Sequence, residues 1–285
     1  LGHIKSDSTF VFVTPREWTG ADAWIIANQK GWKKLVVYTA VELEVWIEKC
    51  PTVGLWLADK LNILNAGGYQ LPDVYWMQWA SGDKYSLPYQ IVTAGRDQVI
   101  DRVLKACFEL SILEIQALTQ SEAVAFVLAS IVTCNDADKL QAKTIVVTDK
   151  NTFDDLVSHY ENLIIITTLR DNMSYALSHN HTVICAVTPE DQVPTAVKLP
   201  RVEREGFVKA IEDCGFDSIQ ARKIATDTAR DVNVLRRRMK IDKLKPEWAN
   251  SDGISALLPI ILLGQWNENV PGDLKLVEKL SGKTY

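Results

Sequence analysis

The sequence predicts an α/β fold: a mostly parallel sheet, followed by an all-helical subdomain and preceded by a smaller, partial α/β unit. Three observations predict it. The runs 144–148, 163–168 and 182–187 are short, β-branched and almost continuously apolar, as strands buried on both faces of a parallel sheet are. Helix-like segments at 152–159 and 172–178 separate them, and such alternation implies crossover connections. Beyond Leu199-Pro200-Arg201 the β signal stops, and apolar residues recur at helical spacing.

In chain order, residues 1–64 read as a compact α/β unit. A strand at 9–13 ends at Thr14-Pro15-Arg16, a helix is expected over 18–30, and a second strand at 34–38 leads to Thr39 and Glu42 in capping-box spacing. The helix that follows stops before Pro51. Residues 65–89, punctuated by Gly67-Gly68, Pro72, Gly82 and Pro88, read as a linker and domain boundary. The main α/β domain is placed at 90–200. It opens with residues 90–97, then an amphipathic helix bearing Val99, Val103, Leu104 and Cys107. A strand at 112–117 passes through Leu118-Thr119-Gln120-Ser121-Glu122 into a helix over 123–129. A helical subdomain at 201–245 carries Phe207, Ala210, Ile211 and Cys214 on one face, with Val232, Leu235 and Met239 marking its third helix. Residues 246–285 read as the start of a further helical unit, with helices at 254–263 and 274–280 around Trp266.

Of the 285 residues, 47% are hydrophobic and 24% charged, with a formal net charge of −5. That balance speaks against a disordered tail or a globally basic nucleic-acid binder. Cys50, Cys107, Cys134, Cys185 and Cys214 contain no C-x-x-C pair and are odd in number, so a reducing cytoplasm is expected. The sequence holds neither a membrane-spanning apolar stretch nor a signal-peptide pattern, so no membrane partner is expected. The chain opens at Leu1 and reaches its first strand by Thr9, which reads as a fragment of a longer protein.

The strand–turn–helix at 112–129 is where a phosphate-binding loop would sit. Such a loop needs glycines for close backbone approach, a Lys for phosphate charge and a hydroxyl for Mg²⁺. Its positions fall on Ala117, Glu122, Ala123 and Val124, so every diagnostic residue is absent. Thr119 and Glu122 instead have capping-box spacing, which satisfies the first helical N–H groups internally. Asp149 closes a strand as a Mg²⁺-holding acid would, although helix capping also explains it. His179 and His181 stand two apart with only Cys185 near, which suits a loop pair better than a metal site. Asp136, Asp138, Asp154 and Asp155 sit near helix starts, where acids complement the dipole. Among basic features, Arg236, Arg237 and Arg238, extended by Lys240, Lys243 and Lys245, stand out as candidates for contact with phosphates of DNA or of a nucleotide held by the sheet domain; a solvated helix end is the competing reading.

Thr93-Ala94-Gly95-Arg96-Asp97 resembles the Gly-Arg-acid entry of STAND-type AAA+ ATPases, and the sheet followed by Val234-Leu235-Arg236-Arg237 resembles their domain and lid. The front piece, from Phe10-Val11-Phe12-Val13 to Val45-Trp46-Ile47-Glu48, resembles the end of a restriction-endonuclease-like domain in large bacterial proteins that join it to a STAND-like region. The resemblance implies a P-loop-NTPase-like sheet with a helical lid, and a role in defence against foreign DNA. It places Gly95, Arg96 and Asp149 near any nucleotide. Residues 1–60 lack the D…(D/E)-x-K trio of a nuclease, so cleavage is not implied. The expected role is a non-catalytic regulatory scaffold without cofactor, working with other domains of its own chain and capable of homo-oligomerising. An ATP/GTP hydrolase with an atypical loop, holding ATP with Mg²⁺, and a DNA-binding module are the alternatives.

Overall fold

The computed structural model describes residues 4–61, 68–82 and 84–239, with Lys275 and Glu278 as isolated helical positions. The expected helix at 254–263, Trp266, most of 274–280, and Lys240, Lys243 and Lys245 lie outside the described residues.

In the front unit, β1 (Thr9–Val13) and β2 (Lys34–Tyr38) pair in parallel through α1 (Ala21–Asn28). The helix is shorter than 18–30. It starts after Gly20, and its chain reverses at Gly31, whose φ of 93° suits only glycine. Next comes α2 (Ala40–Lys49), whose capping box forms, with Glu42 accepting from Thr39 N–H at 2.7 Å. Pro51 then opens a helix that periodicity did not separate, α3 (Pro51–Lys60). Thr52 ties α3 to the main domain through N–H and Oγ1 bonds, each 3.2 Å, to Ala142 O and Gln141 O.

The segment expected to be a linker contributes structure. It forms β3 (Tyr69–Gln70), antiparallel on the sheet edge, and α4 (Pro72–Ala80), whose Trp76 and Trp79 are buried. Pro72, read as punctuation, occupies the first helical turn, where its missing N–H costs nothing.

The main domain follows the expected alternation: α5 (Gln90–Thr93), α6 (Asp97–Phe108), β4 (Ile112–Gln116), α7 (Gln120–Val132), α8 (Ala137–Gln141), β5 (Thr144–Val147), α9 (Lys150–His159), β6 (Ile164–Thr167), α10 (Met173–Ser178) and β7 (Thr182–Val187). A two-residue strand, β8 (Val197–Lys198), was not legible between Pro194 and Pro200. The sheet order is β3-β5-β6-β7-β4-β8, parallel except for β3. Residues of β5, β6 and β7 alternate between two cores: Val146, Ile164, Ile166 and Ile184 face α7, while Ile145, Val147, Ile165 and Val183 join Leu55 and Phe153 on the other side. This two-sided burial is why their sequences carry no polar alternation. From Glu122 to Ile131, α7 is buried on every side, as a helix apolar all round must be. The helical subdomain consists of α11 (Arg204–Glu212), α12 (Ser218–Asp227) and α13 (Val232–Arg238), with Val232, Leu235 and Met239 buried as their spacing predicts.

Candidate functional site

In open α/β sheets ligands bind beyond the carboxyl ends of the strands, where the strand order reverses. Here that place is the end of β4: the chain leaves it for β5, returns through β6 and β7 on one side, and crosses to β8 on the other. The Leu118–Glu122 turn and the start of α7 lie there.

Half of the expected capping box forms. Thr119 Oγ1 accepts from Glu122 N–H at 3.2 Å. The Glu122 carboxylate does not turn back to Thr119 N–H, because two distant residues claim it. Glu122 Oε1 pairs with Arg96 Nη2 at 3.1 Å, and Oε2 accepts from Asn233 Nδ2 at 3.1 Å. Thr119 Oγ1 closes the ring by donating to Asn233 Oδ1 at 2.9 Å. Arg96, Glu122 and Asn233 are only 4%, 5% and 8% exposed. Glu122 therefore already has a buried cation beside it.

Each member is held by its own element. Arg96 precedes α6; its Nε donates to Pro200 O at 2.8 Å and its Nη1 to Val92 O at 2.9 Å, and its guanidinium lies 5.6 Å from the Phe126 ring centroid. Burial pushes the guanidinium below its ordinary pKa, and Glu122 opposes that shift. Asn233 sits in the first turn of α13, capped by Asp231 Oδ1, which accepts from Asn233 N–H at 2.8 Å and Val234 N–H at 3.1 Å. The approach to α13 bends through left-handed Ala229 and Arg230, and Arg230 Nη1 anchors it to Val202 O at 3.1 Å. The helical subdomain is thus joined to the end of β4 through side chains of the same polypeptide.

The space left there is a cavity of about 180 Å³, bordered by Leu118, Glu122, Pro200, Arg201, Arg230 and Asp231. Small-molecule sites usually occupy roughly 300–1,000 Å³. The remaining volume is below that range.

The other sequence candidates do not converge on this place. Gly95 does lie next to Arg96, with φ 71°, but a Cβ on it would collide with the Cβ of Glu203. Its role is to let the α5–α6 connection approach the start of α11, where Glu203 caps Glu205 and Gly206 N–H at 3.0 and 2.6 Å. Those backbone bonds, Gly206 first, hold the Glu203 carboxyl below its usual range. Asp149 lies two residues beyond β5, three strands from β4, which at ~4.8 Å per strand is about 14 Å away. It caps α9 instead, accepting from Thr152 N–H at 2.8 Å and Oγ1 at 2.9 Å, and these bonds lower its pKa.

The basic run is split three ways. Arg236 is buried, with its guanidinium 4.4 Å from the Trp79 ring centroid and Nε donating to Trp79 O at 3.0 Å. Arg238 pairs with Asp227 at 2.8 Å, and Arg237 is exposed. The three do not form one phosphate-binding stripe. His179 is exposed against Tyr175, whereas His181 is fully buried and its Nδ1 accepts from Leu163 N–H at 3.2 Å, so the pair does not converge. Asp136 pairs with Lys139, Asp155 with His159, and Asp154 accepts from Asn172. Among the described residues no three His, Cys, Asp or Glu side chains gather as a metal site. All five cysteines are free thiols, and burial pushes Cys107 up to about 12.

Sequence reasoning missed Asn233. Its partners lie 111 and 114 positions away, and a lone Asn in the first turn of a helix reads as a local capping residue. No protein-family model matches the chain, and no curated protein matches it. No helix among the described residues is long and apolar enough to cross a membrane.

Proposed function

We propose that this chain is a non-catalytic regulatory scaffold: a STAND-like sheet domain and helical lid whose relative position is set by the protein's own side chains instead of a nucleotide. The observation that carries this reading is the buried Arg96–Glu122–Asn233–Thr119 ring at the end of β4. A nucleotide-dependent lid needs a ligand to bridge it to the sheet. Here Arg96 supplies the positive charge at the start of α7, and Asn233 of α13 reaches the same carboxylate. The sheet order, with β4 between β7 and β8 and a helical subdomain following, supports the STAND-like reading. A role in bacterial defence against foreign DNA rests on the sequence resemblance of the two regions.

Thermal melting with millimolar Mg²⁺-ATP tests the proposal. A ligand at 100 times its dissociation constant stabilises a fold by about 2.7 kcal/mol, which for a domain of this size raises Tm by roughly 5–11 °C. No shift is expected, with no phosphate release above the protein-free rate. A reproducible rise that is lost in Arg96→Ala would favour the hydrolase reading instead.

A further inference from the structure

We propose that His181 is a pH-sensitive catch: its neutral ring holds the corner between α9 and β6 closed, and protonation of that ring opens the corner and loosens α3 from the sheet. His181 sits immediately before β7 and is 0% exposed. Its own N–H donates to Ala176 O at 3.1 Å. Its Nδ1 accepts from the N–H of Leu163, the residue before β6, at 3.2 Å. A ring nitrogen that accepts carries no proton, so the neutral imidazole holds its proton on Nε2. That N–H finds no hydrogen-bond partner among the described residues. The closed state therefore makes one ring bond and leaves one buried donor unpaired, a costly arrangement in a core.

Protonation puts a second N–H on Nδ1, aimed at the N–H of Leu163. Two donors cannot share that contact, so the corner at 160–163 must give way. The open arrangement has its own support, because the backbone of Val157 and Tyr160, at the carbonyl end of α9, favours a charged ring. Each charge state thus favours its own arrangement of one corner, as a switch requires. Among the titratable groups around the ring, Glu161 in the corner favours the cation and His179 on the neighbouring loop opposes it. Asp155 and His159 of α9 pair with each other at 3.1 Å. The Tyr160 phenol has its pKa raised by burial and stays neutral, and Tyr175 of α10 packs on His179 with ring centroids 4.2 Å apart. Burial outweighs these groups and keeps the closed ring neutral at pH 7.

The seat of α3 depends on this corner. Leu163, 1% exposed, shares one core with Leu55 of α3, Phe153 and Val157. On the outer side, Tyr160, Glu161 and Asn162 border the same cavity as Ile47, Pro51 and Gly54. Moving the corner disturbs α3 from both sides, while α7 lies across the sheet in the other core.

Hydrogen exchange of the whole chain at pH 7.5 and pH 5.5, corrected for intrinsic rates, tests the catch. An open corner with the ordinary imidazole pKa of about 6.5 gains about tenfold in population between those values. Protection of Leu163 and of residues 55–57 in α3 should fall by about that factor, with α7 unchanged. His181→Asn, which keeps an acceptor for Leu163 N–H, should remove the pH dependence, whereas His159→Asn and His179→Asn should retain it. NMR of the original chain needs no variant: the His181 ring and the Leu163 amide should titrate with one shared apparent pKa. The proposal is overturned by unchanged protection at pH 5.5, by equal loss in α3 and α7, by a pH dependence that survives His181→Asn, or by a Leu163 amide that stays fixed while His181 titrates.

Discussion

Replacing Arg96 with alanine probes the ring at the end of β4. The change leaves Glu122, 5% exposed, with Asn233 but no cation. Breaking a buried ion pair from one side costs about 3–5 kcal/mol, because the surviving charge stays desolvated. Arg96 also satisfies Pro200 O and Val92 O, whose bonds are worth about 1 kcal/mol each. These terms overlap, so we expect about 4 kcal/mol, a fall in Tm of roughly 8–16 °C at 2–4 °C per kcal/mol. Glu122→Gln, which removes the charge but keeps an acceptor, should cost less. Chemical denaturation of Arg96→Ala, Glu122→Ala and the double variant gives the coupling, expected at about 1–3 kcal/mol. Additive single effects, or a cost below about 1 kcal/mol for Arg96→Ala, would refute the idea that the pair fastens this end of the sheet.

Three further outcomes follow from the same geometry. Gly95→Ala should destabilise by more than about 2 kcal/mol, combining a left-handed φ with the collision against Glu203; Gly31→Ala, at φ 93° with nothing near its Cβ, should cost only about 1 kcal/mol in the same melts. His181 has its pKa lowered from 6.5, mainly by burial, so its contribution to stability is complete above that value and is lost as pH falls below it towards the folded-state pKa. His181→Asn, which keeps an acceptor for Leu163 N–H, should flatten the loss of stability between pH 7 and pH 5 in urea titrations. Arg236→Ala should cost roughly 2–3 kcal/mol through lost stacking on Trp79 and its carbonyl bond, whereas the exposed Arg237→Ala should stay within about 0.5 kcal/mol of the original chain.

The parallel sheet was legible because β5, β6 and β7 are buried on both faces, so their apolar runs need no context to interpret. The capped turns at Thr39 and Asp149 were legible for a related reason: their partners lie three residues away. The Thr119 turn shows the limit of that reasoning. Spacing alone gave Glu122 to Thr119, and only the fold brings Arg96 and Asn233 close enough to take the carboxylate away. Proline and glycine misled at 65–89, where Pro72 starts a helix whose tryptophans enter the core. The Arg236–Arg238 run misled because consecutive helical positions point about 100° apart, which sends one arginine inward and leaves the next exposed.

Hydrogen exchange through α7 and α13 tests most directly whether the helical subdomain is fastened to the sheet without a nucleotide. The account predicts that amides of α13 are protected to the same degree as those of α7, that Mg²⁺-ATP changes neither, and that Arg96→Ala or Asn233→Ala lowers protection in α13 first. Fast exchange in α13 of the original chain, slowed by Mg²⁺-ATP, would contradict it.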